Sequence, residues 1–347
     1  MIEYNGRAGP RPVGALLCAA LFATGVSTMV RADAPAPAAP VPPADSALIV
    51  TLQTENDIVG RTDRNYTAGL RLGITLPTGL MPDFLSSAGR AVMGDGIQRL
   101  SLDLSQTLFT PKNTTATVPN PRDRPYAAVL TSQFNLVHDT DRTRTLLGLG
   151  LGVLGPLAQG ENLQNGFHNL IRDPTANGWA YQIKNTPVVQ FVGARIWRLP
   201  VLDAGNDGLQ VDVLPSIAGA VGTWRDYAQV GAQIRLGQGL KTDFGTSRIS
   251  PGLTGADAYT PTRDFVWYVF AGADGQAVAW DSTLDGSPFA SGPHVNRNAW
   301  VGEFEAGAAI IWRGMRFSYT HVFQTQEFRG QRGGLFQFGS FTIAARF

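Results

Sequence analysis

The chain has 347 residues, with 28 Lys and Arg against 27 Asp and Glu and a formal net charge of +1. This near-neutral balance gives no electrostatic case for nucleic acid as a partner. Forty glycines and 10% aromatic residues suit many short strands joined by tight turns, and the length admits two domains or one large all-β domain.

The N-terminus has the pattern of a secretory signal. Arg7 and Arg11 precede an apolar stretch, and Ala32-Asp33-Ala34 supplies a small-x-small cleavage site after Ala34. An N-terminal membrane anchor fits less well, because the stretch carries Gly, Ser and two Thr and runs into that site. Residues 1–34 are therefore read as a signal peptide, 35–46 as an Ala/Pro-rich disordered linker, and 47–347 as the body of the protein. The single cysteine, Cys18, lies inside the signal. Without it the body excludes disulfide frameworks, thiol catalysis and Cys-ligated metals. Beyond the signal no apolar window is long enough for a transmembrane helix.

From there to the end the dominant period is two. Leu100, Leu102 and Leu104 alternate with Ser101, Asp103 and Ser105, and Leu147, Leu149, Leu151 and Val153 alternate with three glycines. Phe341, Ile343, Ala345 and Phe347 alternate with polar or small residues to the last position. Alternation alone does not say which face is buried. The export signal, the terminal Phe347 and six tryptophans near strand ends (197, 224, 267, 280, 300 and 312) favour a membrane barrel with an aromatic girdle. Twelve strands are predicted, near 48–56, 66–77, 97–109, 126–138, 143–154, 182–198, 208–221, 226–238, 263–279, 297–312, 314–325 and 335–347. Twelve is even, as single-chain bacterial barrels require. Residues 82–93 and 157–171 break the alternation and read as helices. The second follows the glycine-bearing strand directly and is expected to pack against its inner face.

Three polar groups carry candidate chemistry. The first is the opening hairpin. By strand parity Asp57, Thr67 and Arg71 share the face opposite the leucines, so they point into the lumen if the leucines meet lipid. Asn56 points outward by the same count, unless a bulge re-aims it. Asx side chains also stabilise turns, which is the competing reading. The second is the helix at 157–171, where Glu161, Gln164 and His168 share one face. A solvated helix with an incidental histidine is the plainer account. The third is Asp123, Arg124 and Tyr126 at the start of the fourth strand, with Gln106 on the third; Arg-Asp pairs there commonly act as structural clamps. No zinc, nucleophile-elbow, P-loop or dinucleotide motif is present.

Taken in order, "END…TDRNYTAGLRLG", "SQTLFTP", "DRPYAAVL", "LGVLGP…GENLQNGFHNLI" and "NGWAYQIKN" resemble the lipid A 3'-O-deacylase family of Gram-negative outer membranes. The match runs from about Glu55 to Asn185 and continues as unmarked strands. The resemblance implies a twelve-stranded transmembrane barrel with a short extracellular loop helix carrying the catalytic histidine. The implied activity is calcium-dependent hydrolysis of the 3'-linked acyloxyacyl ester of lipid A. It implies active-site roles for Asn56, Asp57, Thr67 and His168, with His168 activating water and Asp57 among the oxygen ligands of Ca2+. Arg64, Arg71, Arg124 and Lys112 are candidates for holding a substrate phosphate.

Two positions depart from the family pattern. Pro174 stands where the family has a glutamate six residues after the histidine, leaving Asp173 as the neighbouring acid. Ala116 stands near the position of a family lysine. The expected substrate is lipid A within lipopolysaccharide, among outer-membrane lipids, with the protein as a monomer. A phospholipase or lipid esterase using the same site, and a non-catalytic porin or scaffold barrel, are the alternatives.

Overall fold

The computed structural model describes residues 44–60, 62–205, 207–249 and 257–347. The predicted signal peptide and residues 35–43 of the predicted linker lie outside the described residues. Twelve antiparallel strands close on themselves. They are β1 (Ile49–Asn56), β2 (Asn65–Thr75), β3 (Ile97–Thr110), β4 (Ala127–Asp139), β5 (Thr143–Leu154) and β6 (Thr186–Trp197, resuming as Leu199–Asp203). The second half comprises β7 (Gln210–Gly222), β8 (Arg225–Gln238), β9 (Phe265–Asp281), β10 (Trp300–Trp312), β11 (Met315–Gln324) and β12 (Phe336–Arg346). Each pairs with its chain neighbours, and the seam closes where Ile49 faces Arg346 and Asn56 faces Gly339. Closure satisfies every ladder and leaves no edge. The predicted strands are all present to within a few residues, and the predicted sixth strand is interrupted at Arg198.

The alternation resolves into an apolar exterior and a polar interior. Leu70, Leu72, Ile74, Leu102 and Leu104 are exposed on the outer wall, while Gln53, Arg71, Asp103, Arg235 and Arg316 are buried inside. Trp300 and Trp312 are exposed, as girdle residues would be. Trp280 is not part of that girdle: it is buried and donates its indole N–H to Ser282 Oγ at 2.8 Å.

The described parts of the connection between β8 and β9 fold back into the lumen, which period-two reasoning did not anticipate. Arg71 donates to Ser247 Oγ at 2.9 Å and pairs with Asp257, which also pairs with Arg316 at 3.0 Å. Arg235 pairs with Asp243 at 2.6 Å, Arg248 with Glu303 at 2.6 Å, and the Ile249 amide donates to Glu55 at 2.8 Å. Buried guanidinium–carboxylate pairs hold geometry well and are costly to break singly, at about 3–5 kcal/mol. The described parts of this segment therefore fill the lumen, where an open porin would carry water.

One end of the barrel carries the start of β1, the end of β12 and short turns such as that between β4 and β5. The other carries the longer loops, which in outer-membrane barrels face outside the cell. Helix α1 (Asp83–Met93) lies at the first end and α2 (Gly160–Ile171) at the second. Helix α2 does not enter the lumen as expected. Neighbouring strands crowd the inner glycines of β5 instead: a Cβ on Gly148 would meet Asn135 Oδ1 of β4 at 2.5 Å, and one on Gly150 would meet Gln190 Cβ of β6 at 3.5 Å. The helix rests on the outer wall, where Leu108, Ala128, Ala158 and Trp179 form a buried apolar cluster with Ala68 and Leu130 against it.

Candidate active site

The hairpin tip between β1 and β2 is an Asx-nucleated turn. Asn56 Oδ1 accepts the Ile58 amide at 2.7 Å, starting a single 3-10 turn over Asp57–Gly60. Asp57 Oδ2 then accepts the Thr62 hydroxyl at 2.7 Å and the Arg64 amide at 2.8 Å, folding the tip back on itself. Asp57 is 1% exposed.

Next comes a bulge. The β2–β3 register shifts between Tyr66 and Ala68, so Thr67 leaves the pleat. Tyr66 turns inward, donates to Glu55 at 2.8 Å and packs on Phe109 and Phe338. Thr67 instead lines a groove on the outer side, its hydroxyl 2.6 Å from that of Thr110. The parity expectation that Thr67 and Asp57 face the lumen is thus corrected: both line this outer groove with Asn56, and only Arg71 faces inward.

Helix α2 supplies the opposite wall. Gly160 starts it at closest approach, where a Cβ would meet Ala128 Cβ at 2.5 Å and the Trp179 ring at 2.7 Å. No larger residue lets the helix sit so near the barrel. Gln106 on β3 donates to the Ala158 carbonyl, and Asn165 exchanges two hydrogen bonds with the Ala176 backbone at 2.9 and 3.2 Å. Gly160, Gln164 and His168, four residues apart, are the buried face; Glu161, expected on that face, is exposed.

His168 Nδ1 lies 2.6 Å from the Pro174 carbonyl oxygen. A carbonyl only accepts, so in the neutral ring it is Nδ1 that carries the hydrogen and Nε2 that holds the lone pair. Nε2 faces two carboxylates, Asp63 Oδ2 at 3.7 Å and Asp173 Oδ2 at 3.8 Å. Asp63 is steadied by a relay: Trp179 donates to Gln164 Oε1 at 2.8 Å, and Gln164 donates to Asp63 Oδ1 at 3.1 Å. Asp63 and Trp179 were not among the predicted site residues, and Gln164 was expected only to share a helical face with His168. Asp63 was visible as a second acid in the same polar tip, but strand parity does not extend into a turn.

The groove between α2 and the wall has a volume of about 320 Å³. Its polar end holds Asn56, Asp57, Asp63, Thr67 and His168, and its apolar lip holds Leu70, Leu163 and Phe167. Burial raises the Asp57 carboxyl to about 8, opposed by its bonds from Thr62 and Arg64 and reinforced by the nearby Asp63. Burial likewise raises Asp63, which His168 opposes. Among the described residues no Arg or Lys pairs with either acid. An all-oxygen donor set around a buried, uncompensated carboxylate fits a hard cation such as Ca2+. Asp63, His168 and Asp173 form a second possible ligand cluster. Its imidazole suits a transition metal better, and a metal there would consume the Nε2 lone pair.

Two of the predicted phosphate-binding arginines cannot serve. Arg71 is fully buried against Asp103 and Asp257 inside the barrel, and Arg124 against Glu327 and Thr283 Oγ1. Arg64 and Lys112 line an open cavity at the loop end.

A closed, plugged barrel with an apolar exterior and a polar groove on its outward face defines an integral outer-membrane protein of the β-barrel class. The profile of the family described as "Outer membrane protein LpxR" matches residues 16–347, and the chain belongs to that family. Among solved structures, LpxR from Salmonella typhimurium superposes with a TM-score of 0.71 at 24% identity, covering 87% of this chain and 100% of that one. The β domain of the Bordetella autotransporter BrkA gives a TM-score of 0.38 at 9% identity over 88% of this chain and 98% of that one, and carries no argument. None of the curated protein sequences matches significantly.

Proposed function

We propose that the protein is a lipid A 3'-O-deacylase that hydrolyses the 3'-linked acyloxyacyl ester in the outer leaflet. The observation that carries this is the placement of His168, with Nδ1 tied to a carbonyl and Nε2 facing Asp63 and Asp173, at the polar end of a groove whose lip runs into the outer wall.

In this reading the acyl chains lie against Leu70, Leu163 and Phe167, and the ester reaches the polar end. His168 Nε2 takes a proton from water as the water oxygen attacks the ester carbonyl carbon. The tetrahedral intermediate collapses, the sugar oxygen leaves, and Nε2 returns the proton to it. The free acid remains among the lipids. Asp63 and Asp173 stabilise the transient imidazolium through charge, and the Pro174 carbonyl fixes its orientation. Asp57, with Asn56 and Thr67 beside it, would hold Ca2+, which supplies positive charge to offset the developing oxyanion.

Mass spectrometry of lipid A from cells expressing the wild type or His168→Ala, with and without calcium chelation, tests the reading. Loss of one 3'-linked acyl group that depends on His168 and calcium supports it. Unmodified lipid A from a correctly inserted wild-type barrel sinks it.

A further inference from the structure

A second cavity, of about 1240 Å³, lies at the loop end between the β1–β2, β3–β4, β9–β10 and β11–β12 connections. Five cations line it: Arg64, Lys112, Arg122, Arg329 and Arg332. Among the described residues, the only acid in its lining is Asp123. Both Asp123 oxygens accept main-chain amides, from Arg124 at 2.8 Å and Lys112 at 2.9 Å.

This is the reverse of the lumen. There Arg71, Arg124, Arg235, Arg248 and Arg316 are each buried against a carboxylate. Here none of the five cations pairs with a carboxylate of the described residues. Placing five like charges around one hollow favours a multiply charged anion there. Arg64 also has a buried Nε without a hydrogen-bond partner among the described residues.

Arg64 joins this cavity to the groove. Its amide holds Asp57 in the groove at 2.8 Å, while its guanidinium lines the cavity and donates to the Arg332 carbonyl at 3.1 Å. A side chain at Gly333, whose φ is +105°, would collide with that guanidinium.

We propose that this vestibule is the headgroup subsite, which receives the phosphorylated saccharide of a glycolipid while an ester of the same molecule lies in the groove. The inference rests on the lipid A reading and deepens it. Arg122, Arg329 and Arg332 are its specificity residues, and they select a multiply anionic sugar over a lipid with a single phosphate. Arg64 sets the register between headgroup and ester.

The test uses the full-length barrel in detergent carrying His168→Ala, so that binding is read without turnover. The probes are a bis-phosphorylated glucosamine disaccharide lacking acyl chains and, separately, inorganic phosphate, each titrated by calorimetry at two salt concentrations. Expected is saturable, salt-sensitive disaccharide binding that the triple change Arg122→Ala, Arg329→Ala, Arg332→Ala weakens about tenfold or more, the loss of one charge-assisted hydrogen bond. Disaccharide binding indifferent to the triple change overturns the proposal. So does inorganic phosphate binding as tightly as the disaccharide, which would make the cavity a free-phosphate site. With His168 restored, the triple variant should raise KM for the glycolipid with kcat nearly unchanged. Because the binding arm needs no hydrolysis, inactivity of the wild type on lipid A would sink the activity reading and leave the vestibule judged on its own data.

Discussion

His168 and Pro174 are joined through a main-chain oxygen, 2.6 Å from Nδ1. The position at which the family places a glutamate therefore orients the histidine by its backbone. A change of side chain there leaves the acceptor in place. We predict that Pro174→Ala keeps turnover within about threefold, whereas His168→Ala lowers kcat by roughly 10²- to 10⁴-fold, as loss of a general base does. Product quantification by mass spectrometry checks both. A Pro174→Ala variant as inactive as His168→Ala, yet folded, would mean that the proline ring does more than carry a carbonyl.

The two acids facing Nε2 should not be equivalent. They are nearly equidistant, but Asp63 is held by the Gln164–Trp179 relay while Asp173 is exposed. A fixed charge keeps its position at the transition state, and an exposed one is screened by solvent and salt. Asp63→Asn is expected to lower kcat by about tenfold or more, and Asp173→Asn by less than about threefold. The comparison requires kcat at saturating substrate, and a reversed order would give Asp173 the leading role.

If Asp57 holds Ca2+ as proposed, that binding depends on pH. Burial holds its carboxyl near 8, so without a cation it is mostly protonated at neutral pH. Binding through the carboxylate then releases a proton, and affinity falls as pH drops below about 8, by at most about tenfold per pH unit. The same shift opposes stability. The unfolded chain ionises near 3.8 and the folded one only near 8, so the fold loses stability as pH rises between those values. Asp57→Asn should raise the thermal midpoint at pH 8 in chelator and abolish any rise in the midpoint that added calcium produces in the wild type. Calorimetry in buffers of different ionisation enthalpy reads the proton directly. No proton release, with calcium still bound, would place the cation elsewhere.

The barrel seam has its own clamp. Asp45 lies in the last part of the predicted linker and is buried. It accepts both Arg346 terminal nitrogens, at 2.9 and 2.8 Å, and pairs with Arg99 at 2.8 Å. Burial alone would raise its carboxyl, but the two guanidiniums bring it down to about 2. A depressed carboxylate stabilises the fold above its ordinary value near 3.8, and that contribution disappears as pH falls through about 2. Asp45→Asn should therefore lower the thermal midpoint at pH 7 and leave it nearly unchanged at pH 2. An equal loss at both values would show that the side chain acts by packing alone.

The strands were legible because burial on one face imprints period two, and the closed barrel has no unpaired edge to disturb it. Position along a strand was legible for the same reason: Asn56 does face outward and Arg71 inward. What parity could not carry was any departure from the pleat. One extra residue at Thr67 moved it to the other side of the wall. A turn placed Asp63 beside a histidine more than a hundred residues away in the chain. The luminal segment was unreadable because its partners are single arginines and acids scattered over many strands, with no local pattern to mark them.

The groove's place on the outer wall has an energetic consequence. Lifting an acyl chain of a dozen methylenes into water costs on the order of 10 kcal/mol, at about 0.8 kcal/mol per methylene. A catalytic cleft reached through the solvent would meet that cost in every cycle. Here the lip formed by Leu70, Leu163 and Phe167 is continuous with the exposed row Leu72 and Ile74. Under the proposed deacylation, a lipid drifts sideways into position without leaving the hydrocarbon layer, and the cleaved tail drifts away along the same plane.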